Sequence, residues 1–459
     1  MENRQILALC NQYQAVLLSE DPILHIAIAP NPSAQFFEAL RFICDTEVNV
    51  EYWSAEQLEK ARHSGVLVNT DEQHENTAPV VQLLQETLHK AIQLRASDIH
   101  FEPIEQGYQI RFRVDGVLQL QPLLPAHVAA PLTARLKVLG NLDIAERRLP
   151  QDGQMEIEVE QHKCSFRIAT LPVYHGEKVV LRLMTQTEQT FELSDLGMSP
   201  DDCIRFQHCL ANPQGMILVT GPTGSGKTIT LYSALKILNQ VSSNLRSVED
   251  PIEIPMRGLN QTQINSKAGL SFHSVLRALL RQDPDIIMVG EIRDGDTAEI
   301  AIKAAQTGHL VLSTLHTNST AESVVRMQQM GVEPWMLASA LNMVVAQRLV
   351  RKLCPHCKQL QPDDILLPTS LWKRALPHWQ AVGCERCYGG YYGRSALFEI
   401  LLVDPAIQSA IIKGIAAHEL ETLARHHGMM TLFESGCLAV EQGLTTLEEL
   451  YRVLGVPHG

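Results

Sequence analysis

The sequence predicts an α/β chain built around a phosphate-binding loop, and three observations carry that prediction. The first is Met216-Ile-Leu-Val-Thr-Gly-Pro-Thr-Gly-Ser-Gly-Lys-Thr228, an apolar strand running into a glycine-rich loop. The second is the alternation of strand-like and helix-like segments from Met198 onward, as in a parallel sheet with helices on its faces. The third is the segment 76–185, where two amphipathic helices and several alternating strands read as a smaller α+β unit.

The loop pattern G-x-x-x-x-G-K-[ST] is filled by Gly221, Gly226, Lys227 and Thr228. Glycines at 221, 224 and 226 adopt backbone angles that side chains forbid, so N–H groups along Gly221, Pro222, Thr223, Gly224, Ser225 and Gly226 can turn inward on nucleotide phosphates. Lys227 is placed to reach the β- and γ-phosphates, and the Thr228 hydroxyl to ligate Mg²⁺. Leu231, Leu235 and Leu238 follow at helical spacing, which adds the positive end of a helix dipole.

At 459 residues the chain is too long for one compact core. Its net charge of −13 argues against coating nucleic acid or acidic lipid, so no stable nucleic-acid binding is expected. No apolar run approaches the length of a membrane span, and Met1-Glu-Asn-Arg-Gln lacks the features of a signal peptide, so a cytoplasmic protein is expected. Four of the ten cysteines fall in two C-x-x-C pairs, which points to metal rather than disulfides.

In chain order, residues 1–75 mix apolar stretches (Ala15–Leu18, Ile23–Ala29) with a helical pattern (Phe36–Ile43) and carry no chemical motif, as suits a small docking domain. The polar run Asn69–Thr77 reads as a linker. A helix with Val80, Val81, Leu84, Leu88 and Ile92 on one face leads into Ala96–Glu102. Strand Tyr108–Val114 turns at Asp115-Gly116 into Val117–Leu120. A helix over Ala129–Leu139 precedes strands at Met155–Val159, Lys163–Thr170 and Lys178–Leu183. Arg111, Arg113 and Arg167 fall where they could face outward, either as a solvated sheet face or toward a neighbouring nucleotide. Periodicity is lost from Met184 to Leu196, and residues 186–197 read as a flexible linker.

The remaining segment, 198–459, carries clusters of acids and histidines. Glu249, Asp250 and Glu253 stand at the end of a short strand that Pro251 stops. Asp285-Ile-Ile-Met-Val-Gly-Glu291 has the shape of a Walker B strand without its usual Asp, leaving Glu291 to support Mg²⁺ or orient water. His309 and His316 bracket a strand expected beside the loop strand, as candidate γ-phosphate sensors. Arg277 and Arg281 share one helix face. Cys354-Pro-His-Cys357 and Cys384-Glu-Arg-Cys387 supply four thiolates for a structural Zn²⁺ site within an element spanning about 350–392. His356 reads as exposed or adjacent to the metal rather than a ligand. Leu420, Leu423, Leu432 and Leu438 are expected core positions of the closing helices.

Taken together, Ser97-Asp-Ile-His100, Arg111-Phe-Arg-Val-Asp-Gly116, Pro150-Gln-Asp-Gly153, the loop, the Glu249–Glu253 acidic box, Gly290-Glu-Ile-Arg-Asp294, Thr307-Gly-His309 with Ser313–Asn318, and the tetracysteine element resemble the assembly ATPases of type II secretion and type IV pilus systems, the GspE/PilB type. The resemblance spans residues 80–455. It implies a RecA-like P-loop ATPase domain preceded by a PAS-like α+β domain and a small N-terminal domain. It further implies ATP, Mg²⁺ and Zn²⁺ as cofactors and a homo-hexamer. Its output would be mechanical work through an inner-membrane platform protein and a cytoplasmic docking protein of the apparatus, which would hold the chain peripherally at the inner membrane. Lys227 and Thr228 then become phosphate and Mg²⁺ ligands, Glu253 the water-activating base, Glu291 a metal support, and His316 a neighbour of the γ-phosphate. Glu249 and Asp250 join the nucleotide-binding residues, and Arg167 matches an arginine that approaches the phosphates from the smaller domain. One position departs: Gln154 stands where the family has arginine. The alternatives are a retraction motor or DNA-transfer ATPase of the same superfamily, or, from another class, a nucleotide-binding scaffold with little turnover.

Overall fold

The computed structural model describes residues 71–159, 162–184 and 192–456, together with 15–19, 24–30, 48–54 and the single positions 10, 13, 36 and 58. Strands β1 (Val16–Ser19), β2 (Leu24–Ile28) and β3 (Val48–Tyr52) form a three-stranded sheet, β1 antiparallel and β3 parallel to β2. Both apolar stretches of the N-terminal region therefore become strands. The helix expected over Phe36–Ile43 lies outside the described residues except for Phe36, which is buried.

Of the polar run expected to be a linker, residues 71–77 belong instead to helix α1 (Asp71–Gln93), and 69–70 lie outside the described residues. Hydrophobic periodicity reports a buried face, not helicity itself, and polar residues such as Glu and Gln close helical hydrogen bonds as well as apolar ones do. From Val80 onward the helix buries a face through Val80, Leu84, Leu88 and Ala91. Together with α2 (Ala129–Leu139) it covers one side of an antiparallel sheet built from β4 (Ala96–Ile104), β5 (Gly107–Val114), β6 (Val117–Leu120), β7 (Gln151–Val159), β8 (His162–Val173) and β9 (Gly176–Met184). Their spatial order is β6-β5-β4-β9-β8-β7. Alternation along the strands sends Ile99, Phe101, Ile110, Phe112, Phe166, Ile168, Val179 and Leu181 into the core. The residues between them, including Asp98, Arg111, Arg113, Arg167 and Arg182, therefore share the uncovered face, as one-sided antiparallel sheets require.

Strand β7 starts at Gln151, four residues before the expected start, so Gln154 is a strand residue paired with Arg167. Gly153 permits this, because a Cβ there would lie 2.5 Å from the Gly140 carbonyl oxygen. Part of the second expected linker is built into the fold: Leu193–Leu196 form a 3₁₀ turn, Leu193 is buried, and Glu192 pairs with Lys236 at 2.9 Å. The preceding stretch, 186–191, lies outside the described residues.

The C-terminal segment forms a seven-stranded sheet from β10 (Gly215–Thr220), β11 (Leu245–Glu249), β12 (Asn260–Gln263), β13 (Ile286–Val289), β14 (Leu310–Leu315), β15 (Leu341–Leu353) and β18 (Tyr391–Leu402). The short strands β16 (Lys358–Leu360) and β17 (Trp379–Ala381) pair with each other between β15 and β18. The order is β12-β11-β13-β14-β10-β15-β18, parallel throughout except for the antiparallel pair β15–β18. Strands β10, β13 and β14 are buried along their whole length, which explains their unbroken apolar runs. Two separate cores, around Met216 and Leu218 on one face and Ile217 and Val219 on the other, hold helices to both sides. Each fully buried Leu, Ile or Val there contributes about 1.5–3 kcal/mol. Of the four leucines expected in the closing helices, Leu420 and Leu432 are buried, while Leu423 and Leu438 are half-buried. Glu399 on β18 is also buried, and it accepts bonds from Thr320 N at 2.8 Å, Thr320 Oγ1 at 2.7 Å and Leu432 N at 3.3 Å. One carboxylate thus serves the starts of two helices, Thr320–Gln329 and Leu432–Glu441.

Candidate nucleotide site and metal centre

Parallel pairing brings the sheet's functional residues to one edge. Thr220 lies opposite Leu315 of β14 and Ala346 of β15, so Gly221 and His316 leave the sheet side by side, next to Gln347 of the longer strand β15. The P-loop then wraps a cleft of ≈ 490 Å³. Its glycines answer to packing as well as to backbone angle. A Cβ on Gly221 would sit 2.5 Å from the Gln347 carbonyl, and one on Gly226, whose φ is +90°, would sit 2.8 Å from Gln347 Nε2. Gln347 also accepts from Thr230 Oγ1 at 2.7 Å on the helix that follows the loop, Lys227–Leu238.

Lys227 curls into the loop, donating to Gly221 O at 2.7 Å and Pro222 O at 3.1 Å. Burial pushes its ammonium down to about 8, against the opposing pull of Glu291. Thr228 is exposed at the mouth, and the Ser225 hydroxyl is buried without a protein partner. A buried orphan hydroxyl beside a confined cation suits the phosphates of ATP, whose oxygens accept from both.

The acidic box divides. Glu249 lines the cleft but is only 3% exposed, and its oxygens accept from Ser247 Oγ at 2.5 Å, Tyr232 OH at 2.5 Å and Gln261 Nε2 at 3.1 Å. With three protein donors it braces the wall, joining the P-loop helix to β11 and β12. Asp250 and Glu253 also line the cleft and are exposed. Glu291 faces the loop, 14% exposed, between Arg293 at 2.5 Å and His316 Nε2 at 3.4 Å. Burial, then the nearby Lys227 charge, lowers the His316 pKa below its ordinary 6.5, so the imidazole is neutral at pH 7. His309, at the opposite end of β14, bonds Ala304 O through Nδ1 at 3.0 Å and stands away from the cleft. Arg277 and Arg281 are exposed and outside the cleft lining as well.

Four lining residues were not among the site residues expected from the sequence: Ile229, Tyr232, Leu349 and Arg394. They come from helix and strand positions whose side chains read as ordinary core or surface. Only Arg394, an exposed charge directly after a Gly-rich turn, offered a hint.

On the small domain, Gln154, Arg167, Arg182, Asp98 and Arg113 form one row across β7, β8, β9, β4 and β5. Two of the three arginines expected to face outward are already engaged. Arg111 holds Glu102 through Nε at 2.7 Å and Nη2 at 2.8 Å, and Arg113 approaches Asp98 at 3.6 Å. Arg182 also binds Asp98, at 2.8 Å, while Arg167 is exposed.

The four cysteines converge: their sulfurs lie within 4.8 Å of one another, with Cys357–Cys387 at 3.5 Å, Cys384–Cys387 at 3.6 Å and Cys354–Cys384 at 3.9 Å. Sulfurs about 2.3 Å from a tetrahedral zinc stand roughly 3.8 Å apart, so the residues fit Zn²⁺ with all four positions filled by protein. His356 is exposed and outside this cluster.

Sheet order, loop and acid-lined cleft define a P-loop ATPase. The chain belongs to the type II/IV secretion system protein family, whose pattern matches residues 73–452. It is 58% identical over 459 residues to the "Protein transport protein HofB homolog" of Escherichia coli (strain K12), covering 99% of each chain. It is 43% identical over 447 residues to "Type IV pilus assembly ATPase PilB" of Acinetobacter baylyi, covering 95% of this chain and 76% of that one. Among solved structures, "Pilus Retraction Motor PilT and Bound ADP" is 27% identical with a TM-score of 0.53, covering 82% of this chain and 97% of that one. These likenesses make the ATPase domain RecA-like. Among the described residues, no helix is long and apolar enough to cross a membrane.

The metal centre yields a prediction. The purified chain should contain about one zinc, and chelation or Cys354→Ser should lower its melting temperature. A zinc-free preparation with an unchanged melting temperature would overturn the assignment.

Proposed function

We propose that the chain works as a homo-hexameric motor whose ATP hydrolysis drives assembly of a type IV pilus or a type II secretion pseudopilus. It would act at the inner membrane through a platform protein, with the N-terminal sheet contacting a cytoplasmic partner. The observation that carries this reading is the single cleft in which Lys227, Glu253, Glu291 and His316 meet. The relatives named for pilus assembly and protein transport support it. In this proposal the chain consists of an N-terminal docking domain, a PAS-like domain opened by α1, and the RecA-like ATPase domain carrying the Cys₄ element.

Each residue's role follows from its setting. The loop N–H groups and Lys227 hold the phosphates, and Thr228 with Glu291 would hold Mg²⁺, which neutralises phosphate charge when bound. Glu253, exposed and unoccupied by protein donors, takes the proton of the attacking water. His316, neutral and held against Glu291, lies beside the γ-phosphate position. Asp250 stands at the mouth, while Glu249 supports the wall without touching nucleotide.

Arg167 supplies positive charge from the small domain. Arg111 is tied to Glu102 and Arg113 to Asp98, so neither is free to stand in for the arginine that Gln154 replaces.

Lys227→Ala should remove at least about two orders of magnitude of turnover, since the loop itself carries no second cation. Unaltered turnover in the purified variant would assign the activity elsewhere. Adding the inner-membrane platform protein should stimulate the wild-type chain, and an indifferent rate would count against the motor reading. Gln154→Arg should raise the rate about ten- to a hundredfold by adding one charge-assisted contact to the developing phosphate charge, and Arg167→Ala should lower it. If both variants match wild type, these positions form only a solvated sheet face.

A further inference from the structure

Two motifs of the sequence remain without a task in the hydrolytic site: the turn Asp115-Gly116 and the stretch Tyr388-Gly-Gly-Tyr-Tyr-Gly-Arg394. The fold brings them together across 278 residues of chain. Asp115 Oδ2 accepts the Gly393 backbone N–H at 2.9 Å and faces Arg95 Nη2 at 3.5 Å. The Arg95 guanidinium in turn lies 3.9 Å from the centre of the Tyr392 ring. Two contacts of different kinds thus join the small domain to two adjacent residues of the ATPase domain, and the Arg95–Asp115 pair ties them together on the small-domain side.

The receiving strand is built for this. Arg351 of β15 pairs with Arg394 of β18, but Leu353 pairs with Tyr391, so Tyr392 and Gly393 together oppose Lys352 in a β-bulge. A bulge interrupts the ladder and re-aims the side chains beyond it. Gly393, at φ +77°, takes the left-handed conformation this requires, and its N–H is given to Asp115 instead of to a strand. The next residue is Arg394, an exposed arginine that lines the nucleotide cleft. The presenting turn is equally determined: Asp115 and Gly116 have φ +49° and +85°, and Arg113 Nη1 bonds Gly116 O at 3.1 Å.

We infer that Asp115, Arg95 and Tyr392 form an interdomain latch that fixes the Gly393 bulge and thereby holds Arg394 at the nucleotide cleft. Asp115 is then a positioning residue: it touches no nucleotide, yet it makes the affinity of the cleft depend on where the small domain sits. The inference rests on the cleft binding ATP.

The test is equilibrium binding of a fluorescent, non-hydrolysable ATP analogue to the full chain with Lys227 intact. Asp115→Ala should weaken binding about three- to tenfold, the loss of one hydrogen bond to a charged acceptor. Arg394→Ala should also weaken it, and the double variant should bind no worse than Arg394→Ala alone, because both act through one contact. Asp115→Asn keeps an acceptor oxygen for the Gly393 N–H and should restore most of the affinity. If Asp115→Ala does not fold, Tyr392→Ser at the exposed ring gives the same comparison. Unchanged affinity in these variants, or losses that simply add in the double variant, would overturn the latch. Failure of the wild-type chain to bind the analogue would instead sink the ATPase reading.

Discussion

Strand β10 is paired in parallel on both edges, and the rest of the active face depends on that constraint. A strand fixed in this way can neither slip by one residue, which would turn its buried side chains to the wrong face, nor end anywhere but beside its neighbours. The P-loop and His316 therefore emerge together, beside Gln347 of β15. The contact between Thr220 Oγ1 and Thr317 Oγ1, at 2.7 Å, locks the two departing loops to each other. Gln347 then fills the space beneath Gly221 and Gly226, so the glycines of the loop serve the sheet as much as the phosphates.

Buried charge is handled differently on the two sides of this edge. Glu249 and Glu399 are nearly inaccessible, and each collects three protein donors, which makes them structural supports. Lys227 is confined against carbonyl oxygens alone, a setting that favours the arrival of an anion. Glu253 and Asp250 keep their oxygens open to the cleft. The division between structural and chemical carboxylates thus follows from how many donors each has already taken.

Strand β15 links the site to the metal centre. It passes beneath the P-loop at Gln347 and ends at Leu353, directly before Cys354, whose N–H donates to Gly390 O at 2.8 Å. Along the way Arg351 stacks over Tyr391 at 4.0 Å and binds Glu449 at 2.7 Å, drawing the second knuckle and the last helix against the same strand. A four-cysteine site at this place holds together a segment, Gln359–Thr369, that is mostly exposed and has little core of its own.

Residue order alone was enough to mark the P-loop, the acidic and histidine clusters, the tetracysteine site and the α+β character of the small domain. Each is written in local spacing: glycines flanking a lysine, cysteines three apart, apolar residues alternating along strands. Residues 69–77 read as a linker because polar helical turns, such as those from Asp71 onward, leave no periodic trace, and no local signal separates Glu249 from Glu253, or His316 from His309. Those distinctions required the tertiary structure, since whether a carboxylate is spent on protein donors, and which end of a strand faces the cleft, depend on residues far away in the chain. The same holds for Arg394 and Asp115. Their meeting is set by the packing of two domains and a bulge in β18, and no local pattern encodes it.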